Sequence, residues 1–136
     1  MTGSLLNVAI DFHTLTPCRL FDTRESTGSS AAWPVLDPGE TRTFTVGTRC
    51  SLTSSTIRSL SVNQTVTAPS ADGEIVLYRG DMPSPPITRS LSYRTGKTRA
   101  NNILLELSRD GDGTFKIHNR STGSVHFILD VSGYFQ

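Results

Sequence analysis

The chain is short of charge, cysteine, tryptophan and long apolar runs, and each shortage excludes something. Charged residues make up 18 %, against roughly a quarter in ordinary soluble domains. The 13 basic and 12 acidic side chains are interspersed, for a net charge of +1. That leaves no basic stripe of the kind that grips a nucleic-acid backbone. No apolar run approaches the roughly 20 residues a membrane-spanning helix needs. Met1-Thr2-Gly3-Ser4 has no basic region, and Leu5 to Ile10 is too short for the apolar core of a signal peptide. Such a signal was trimmed, or the protein leaves the cell by another route, or it stays inside.

Catalytic and metal motifs are missing too. There is no G-x-S-x-G elbow and no glycine-rich phosphate loop. His13, His118 and His126 are scattered without metal-ligand spacing. Asp110-Gly111-Asp112-Gly113 looks like a fragment of a calcium loop. It lacks the third Asp or Asn and the distant Glu, so an Asp-Gly turn explains it better. The expectation is a protein that is not an enzyme, takes no cofactor or metal, binds no nucleic acid and inserts into no membrane.

What is present points to β structure. Ser and Thr make up about a quarter of the chain, well above ordinary usage. Thr and Val suit strands, while Ser, Gly, Asp and Asn suit the turns between them. No segment has a sustained helical period, and alternation recurs instead. Strands are predicted at about 5–12, 17–22, 41–46, 57–67, 74–78, 88–93, 100–107, 114–119 and 125–134. Between them lie Asp37-Pro38-Gly39, Asp72-Gly73, Pro83-Ser84-Pro85-Pro86, Thr95-Gly96 and Ser121-Thr122-Gly123. Leu60, Val62 and Val66 share one face of their strand, and Val125, Phe127, Leu129 and Val131 share one face of theirs. Ile103-Leu104-Leu105 is apolar on both faces, which predicts a central strand. The 136 residues form one domain. The expected fold is all-β, an antiparallel β-sandwich of jelly-roll type with eight or nine short strands.

Cys18 and Cys50 are even in number and outside any metal spacing. They read as a disulfide, or as two unrelated core thiols. A disulfide would imply an oxidising compartment. The long irregular stretch from Thr23 to Glu40 carries the sole tryptophan, Trp33. Loops of that length are often functional. Trp33 could stack on a sugar ring, or fold down as a lid on the core.

Several motifs stand in a fixed order. They are Pro17-Cys18-Arg19-Leu20-Phe21-Asp22-Thr23-Arg24, Gly39-Glu40-Thr41-Arg42-Thr43-Phe44, Ser61-Val62-Asn63-Gln64-Thr65-Val66, Ala100-Asn101-Asn102 and Asp130-Val131-Ser132-Gly133-Tyr134-Phe135. Together they resemble a family of bacterial extracellular modules that open with P-C-R-x-x-D-T-R and close with D-V-x-G-Y-F. The likeness covers about residues 12–136. It departs at Cys50-Ser51-Leu52-Thr53, where the family tends to read Cys-Gly-Ile-Pro. The resemblance implies an accessory module, secreted or on the cell surface, with no single established activity.

Asp22, Arg24, Asn63, Asn101 and Asp130 are the polar residues inside these motifs. With Trp33 they form a candidate ligand cluster, since carboxylates, amides and guanidinium can pair with sugar hydroxyls. The alternative is a buried structural network with Arg24 pairing to Asp22 or Asp130. Two functions are expected from different classes. One is a non-catalytic module that binds a glycan or cell-surface component. The other is a structural subunit that assembles with copies of itself into a filament, tube or layer. There the apolar segment with Leu5, Leu6, Val8 and Ile10 would add a strand to a neighbour's sheet edge.

Overall fold

A computed structural model describes residues 11–53 and 55–136. Among the described residues there are eight strands: β1 (Phe12–Asp22), β2 (Thr41–Thr45), β3 (Ser59–Thr67), β4 (Gly73–Arg79), β5 (Leu91–Tyr93), β6 (Arg99–Glu106), β7 (Thr114–Ser121) and β8 (His126–Phe135). They make two four-stranded antiparallel sheets, ordered β1-β8-β3-β6 and β2-β7-β4-β5. The pairs nest: β1 with β8, β2 with β7, β3 with β6, β4 with β5. That is one long hairpin rolled around a core, the jelly-roll sandwich.

Alternation decides what the core contains. Leu60, Val62 and Val66 of β3 are buried, and so are Phe127, Leu129 and Val131 of β8. Facing them from the second sheet are Phe44, Phe115 and Ile117. Phe21, Phe44 and Phe115 form a ring cluster with centroids 4.6–5.5 Å apart. Each such ring contributes about 1.5–3 kcal/mol by burial. A register shift between Arg19 and Phe21 bulges β1 against β8. Through it Leu20, Phe21 and Asp22 are all buried in succession, against simple alternation.

Cys18 and Cys50 are joined, with Cα atoms 6.0 Å apart. The bond ties β1 to the 3-10 turn at Arg49–Ser51 that follows β2.

Several expectations need correction. The strand Ile103-Leu104-Leu105 is not central, because β6 is the edge of its sheet. Ile103 and Leu105 sit opposite Val62 and Leu60 on the inner face, while Leu104 sits opposite Ser61 on the outer face and is 61 % exposed. The strand predicted from Pro17 begins at Phe12, and the one predicted from Thr88 is only Leu91–Tyr93. Leu5, Leu6, Val8 and Ile10 lie outside the described residues.

Alternate connections of a jelly roll share an end. Here the loops after β1, β3, β5 and β7 hydrogen-bond to one another: Leu36 with Val125, Ser70 with Ser124, and Gly96 with Pro69. The loop carrying Trp33 therefore shares an end with the β5–β6 turn.

Candidate functional site

The Thr23–Glu40 loop is long but firmly held, and four side chains hold it. The first is Asp22, fully buried at the end of β1. Its Oδ1 accepts from the backbone N–H and Nε of Arg24, both at 3.0 Å. Its Oδ2 accepts from Arg24 Nη2 at 2.9 Å and Arg19 Nη1 at 3.4 Å. Its backbone bonds Ser30, Ala32 and Glu25. The Arg24 guanidinium holds the Asp22 carboxyl below its ordinary value; burial pushes the other way, and the Arg24 N–H and Arg19 add to the lowering.

Arg49 is the second. Its Nη1 donates to the carbonyls of Leu20 at 3.1 Å and Ala31 at 3.0 Å, and its guanidinium lies 4.4 Å from the centre of the Phe21 ring. Arg42 of β2 is the third. It donates to the carbonyls of Ala32, Pro34 and Val35 at 3.1, 2.7 and 3.0 Å. Glu40 steadies it through Nε and Nη2 at 2.8 and 3.1 Å. Burial would raise the Glu40 carboxyl, but Arg42 and the Asp37 N–H outweigh it and lower it. Asn119 is the fourth, fully buried on β7. Its Nδ2 donates to Asp37 and Gly123 at 2.9 Å, and its Oδ1 accepts from Tyr93 and Ser121.

The result is an ordered backbone around an uncovered ring. The Trp33 N–H donates to the Glu25 carbonyl at 3.1 Å, and the side chain is 61 % exposed. Trp33 is not a lid on the core. The loop's apolar anchor is Leu36, fully buried and bonded to Val125.

The remaining polar motif residues divide. Arg19 pairs in register with Asp130, and Asp130 sits opposite Asn63 on β3, which sits opposite Asn102 on β6. This row crosses the outer face of the β1-β8-β3-β6 sheet. Arg19 Nε donates to Asp130 Oδ1 at 3.0 Å and also reaches Asp22, so Arg19 links the row to the loop. Arg24 pairs with Asp22 and not with Asp130. Asn101 stands apart on β6. It accepts from the buried Gln64 at 2.6 Å and donates to the Ser90 carbonyl at 3.1 Å. Arg42, Arg49 and Asn119 were missed by sequence reasoning. The one available signal was Glu40 two residues before Arg42.

Four of the five motifs named above fall on one sheet, on β1, β8, β3 and β6. The closing motif packs on the opening one: a Cβ on Gly133 would lie 2.6 Å from the Phe12 ring and 2.9 Å from the His13 carbonyl. Only glycine fits there. The acidic turn at Asp110–Gly113 is closed by Asp112 N–H donating to Asp110 at 2.9 Å. Among the described residues no group of three or more His, Cys, Asp or Glu side chains gathers.

No protein-family model and no curated protein matches the chain. Among solved structures it is similar to the coat protein of Tobacco streak virus, in two crystal structures, with TM-scores of 0.42 and 0.40 and 12 % identity. Each covers 91 % of this chain and 85 % of the coat protein chain. Likeness at that level bears on neither family nor function.

Proposed function

We propose that the chain is a non-catalytic, exported binding module that contacts a glycan or other cell-surface component through Trp33. One observation carries the reading: an exposed indole on a loop whose backbone is fixed from both sides. An aromatic ring with few rotatable bonds, on a backbone already ordered, loses little entropy when a sugar ring stacks on it. The disulfide supports an oxidising compartment, as expected for an exported protein.

Trp33 is the sole tryptophan, so tryptophan emission excited beyond the tyrosine absorption band reports on this site alone. The test is acrylamide quenching of that emission with hydroxyethylcellulose, glycol chitin or solubilised peptidoglycan present. Protection by one of these, and loss of its binding in Trp33→Ala, is the expected result. Unprotected emission with all of them, together with unchanged adsorption of the variant to whole bacterial cells, overturns the reading.

A second reading is a structural subunit assembling by strand addition. The observation favouring it is the position of β6 at its sheet's edge among the described residues, with Leu104 exposed there. Light scattering behind a sizing column discriminates. A mass near 14.8 kDa favours the binding module. A very large mass that collapses on deletion of residues 1–10 favours assembly. That deletion spares β1.

A further inference from the structure

The even mixing of charge fails most clearly after Asp81. Residues 82–105 contain Arg89, Arg94, Lys97 and Arg99 and no Asp or Glu. Elsewhere most arginines are committed: Arg19, Arg24, Arg42, Arg79, Arg109 and Arg120 each lie within 4.0 Å of a carboxylate. Among the described residues none of the four cations of this stretch has such a partner. Glu74 lies beside Arg89 but is taken by Arg120 at 3.0 Å.

Folding gathers these cations at one margin of the sandwich. β5 is the edge of one sheet and β6 the edge of the other. Between them runs a shallow, open cleft of about 530 Å³ lined by Arg89, Ser90, Leu91, Ser92, Arg99, Ala100 and Asn101. Its polar rim is held from below. Gln64 is fully buried on the inner face of β3, and its Nε2 donates to the Ser90 carbonyl at 2.9 Å and to Asn101 Oδ1 at 2.6 Å. Asn101 Nδ2 donates to the same carbonyl at 3.1 Å. Through its Nε2, Gln64 fixes the orientation of Asn101, whose amide lines the cleft already oriented.

We propose that this cleft binds an acidic polysaccharide, with Arg89 and Arg99 pairing its carboxylate or sulfate groups and Asn101 and Ser92 taking its hydroxyls. Guanidinium is the group of choice for planar anions, because its forked donors engage two oxygens at once. Nucleic acid fits less well. No aromatic side chain lines the cleft to stack on a base, and two arginines release few counterions. The site is separate from Trp33 and stands or falls without it.

The experiment is affinity electrophoresis of the full chain in gels holding alginate, heparin, neutral dextran or single-stranded DNA, repeated at rising salt. Retardation by alginate or heparin, absent with dextran and weakened by salt, is the expected result; retardation by alginate shows that carboxylates suffice, and retardation by heparin alone shows that sulfate is needed. Arg89→Ser with Arg99→Ser should weaken it at least tenfold. Should the double variant unfold by circular dichroism, Arg99→Gln alone reads the same effect. No retardation by either polyanion overturns the proposal. So does an equal loss in Arg58→Ser with Arg109→Ser, which removes the same charge elsewhere. Retardation by DNA at least as strong as by alginate and heparin overturns the polysaccharide assignment.

Discussion

Arg42 donates to the carbonyl of Pro34 at 2.7 Å, one residue beyond the exposed indole of Trp33. The two side chains divide one task, since Arg42 orders the backbone and Trp33 faces solvent. Trp33→Ala should therefore abolish binding to the protecting polysaccharide with a stability change within about 0.5 kcal/mol, as for other exposed sites. Arg42→Ala strips donors from three carbonyls and leaves Glu40 without its partner. It should cost about 1–3 kcal/mol and weaken binding although the ring is intact. Urea unfolding beside the binding assay separates the two. Equal stability in both variants would remove Arg42 from its role.

Asp22→Asn keeps the shape and removes the charge that two arginines share. Both arginines are half-exposed, so water softens the loss. The expected cost is about 2 kcal/mol, most of it from donors left facing a buried amide nitrogen. Denaturant titration measures it, and a midpoint equal to wild type would contradict the role of Asp22 as the anchor of the loop.

Acid should act in two stages. Thr23 Oγ1 accepts from the Phe127 N–H at 2.8 Å and is hydrogen-bonded to His126 Nδ1 at 2.9 Å. Burial, and then Arg24, lower the His126 value below 6.5, with Asp22 opposing. His118, bonded to Thr41 at 2.8 Å, is lowered by burial and then by Arg120. The unfolded chain takes these protons first, so stability falls as pH drops below about 6.5 and through the folded values. The Asp22 contribution is complete above about 3.8 and falls away below it, as pH passes down through its lowered folded value. Thermal melts from pH 7.5 to 3 should show both stages. His118→Gln with His126→Gln should erase the upper one only.

Reduction of the Cys18–Cys50 bond frees a loop spanning 32 positions. By loop entropy the loss is about 3–4 kcal/mol. For a domain of this size that lowers the melting temperature by roughly 10 °C. Calorimetry with and without reductant checks it.

Much of the fold was legible because the inner faces alternate cleanly. Leu60, Val62 and Val66 on β3, and Phe127, Leu129 and Val131 on β8, read directly as core, and the two cysteines read as a pair. Leu104 misled because an apolar triplet looks the same on an edge strand as on a central one; only the pairing order separates them. The bulge at Leu20-Phe21-Asp22 was hidden because alternation has no way to announce an extra residue. Arg24 pairs with Asp22, one of the two pairings its motif offered, whereas Asp130 pairs with Arg19, which the motifs did not single out. The clamps on the loop were invisible for a simpler reason: Arg42 and Arg49 act on backbone carbonyls, which carry no sequence identity.

The pairing of Asp11 with Gln136 has a mechanical consequence. The two ends of the described fold lie side by side on neighbouring antiparallel strands. A force applied through them would not shear the sheet but peel β1 from β8, one hydrogen-bonded rung after another. Peeling meets a stop at Cys18, whose bond to Cys50 carries the load into the second sheet's connections. On the N-terminal side only residues 11–17 can be drawn out before that point, about 20–25 Å of extended chain. Beyond it the ring cluster and the loop that presents Trp33 stay folded under tension, so a tethered copy could yield at its attachment and still keep its grip.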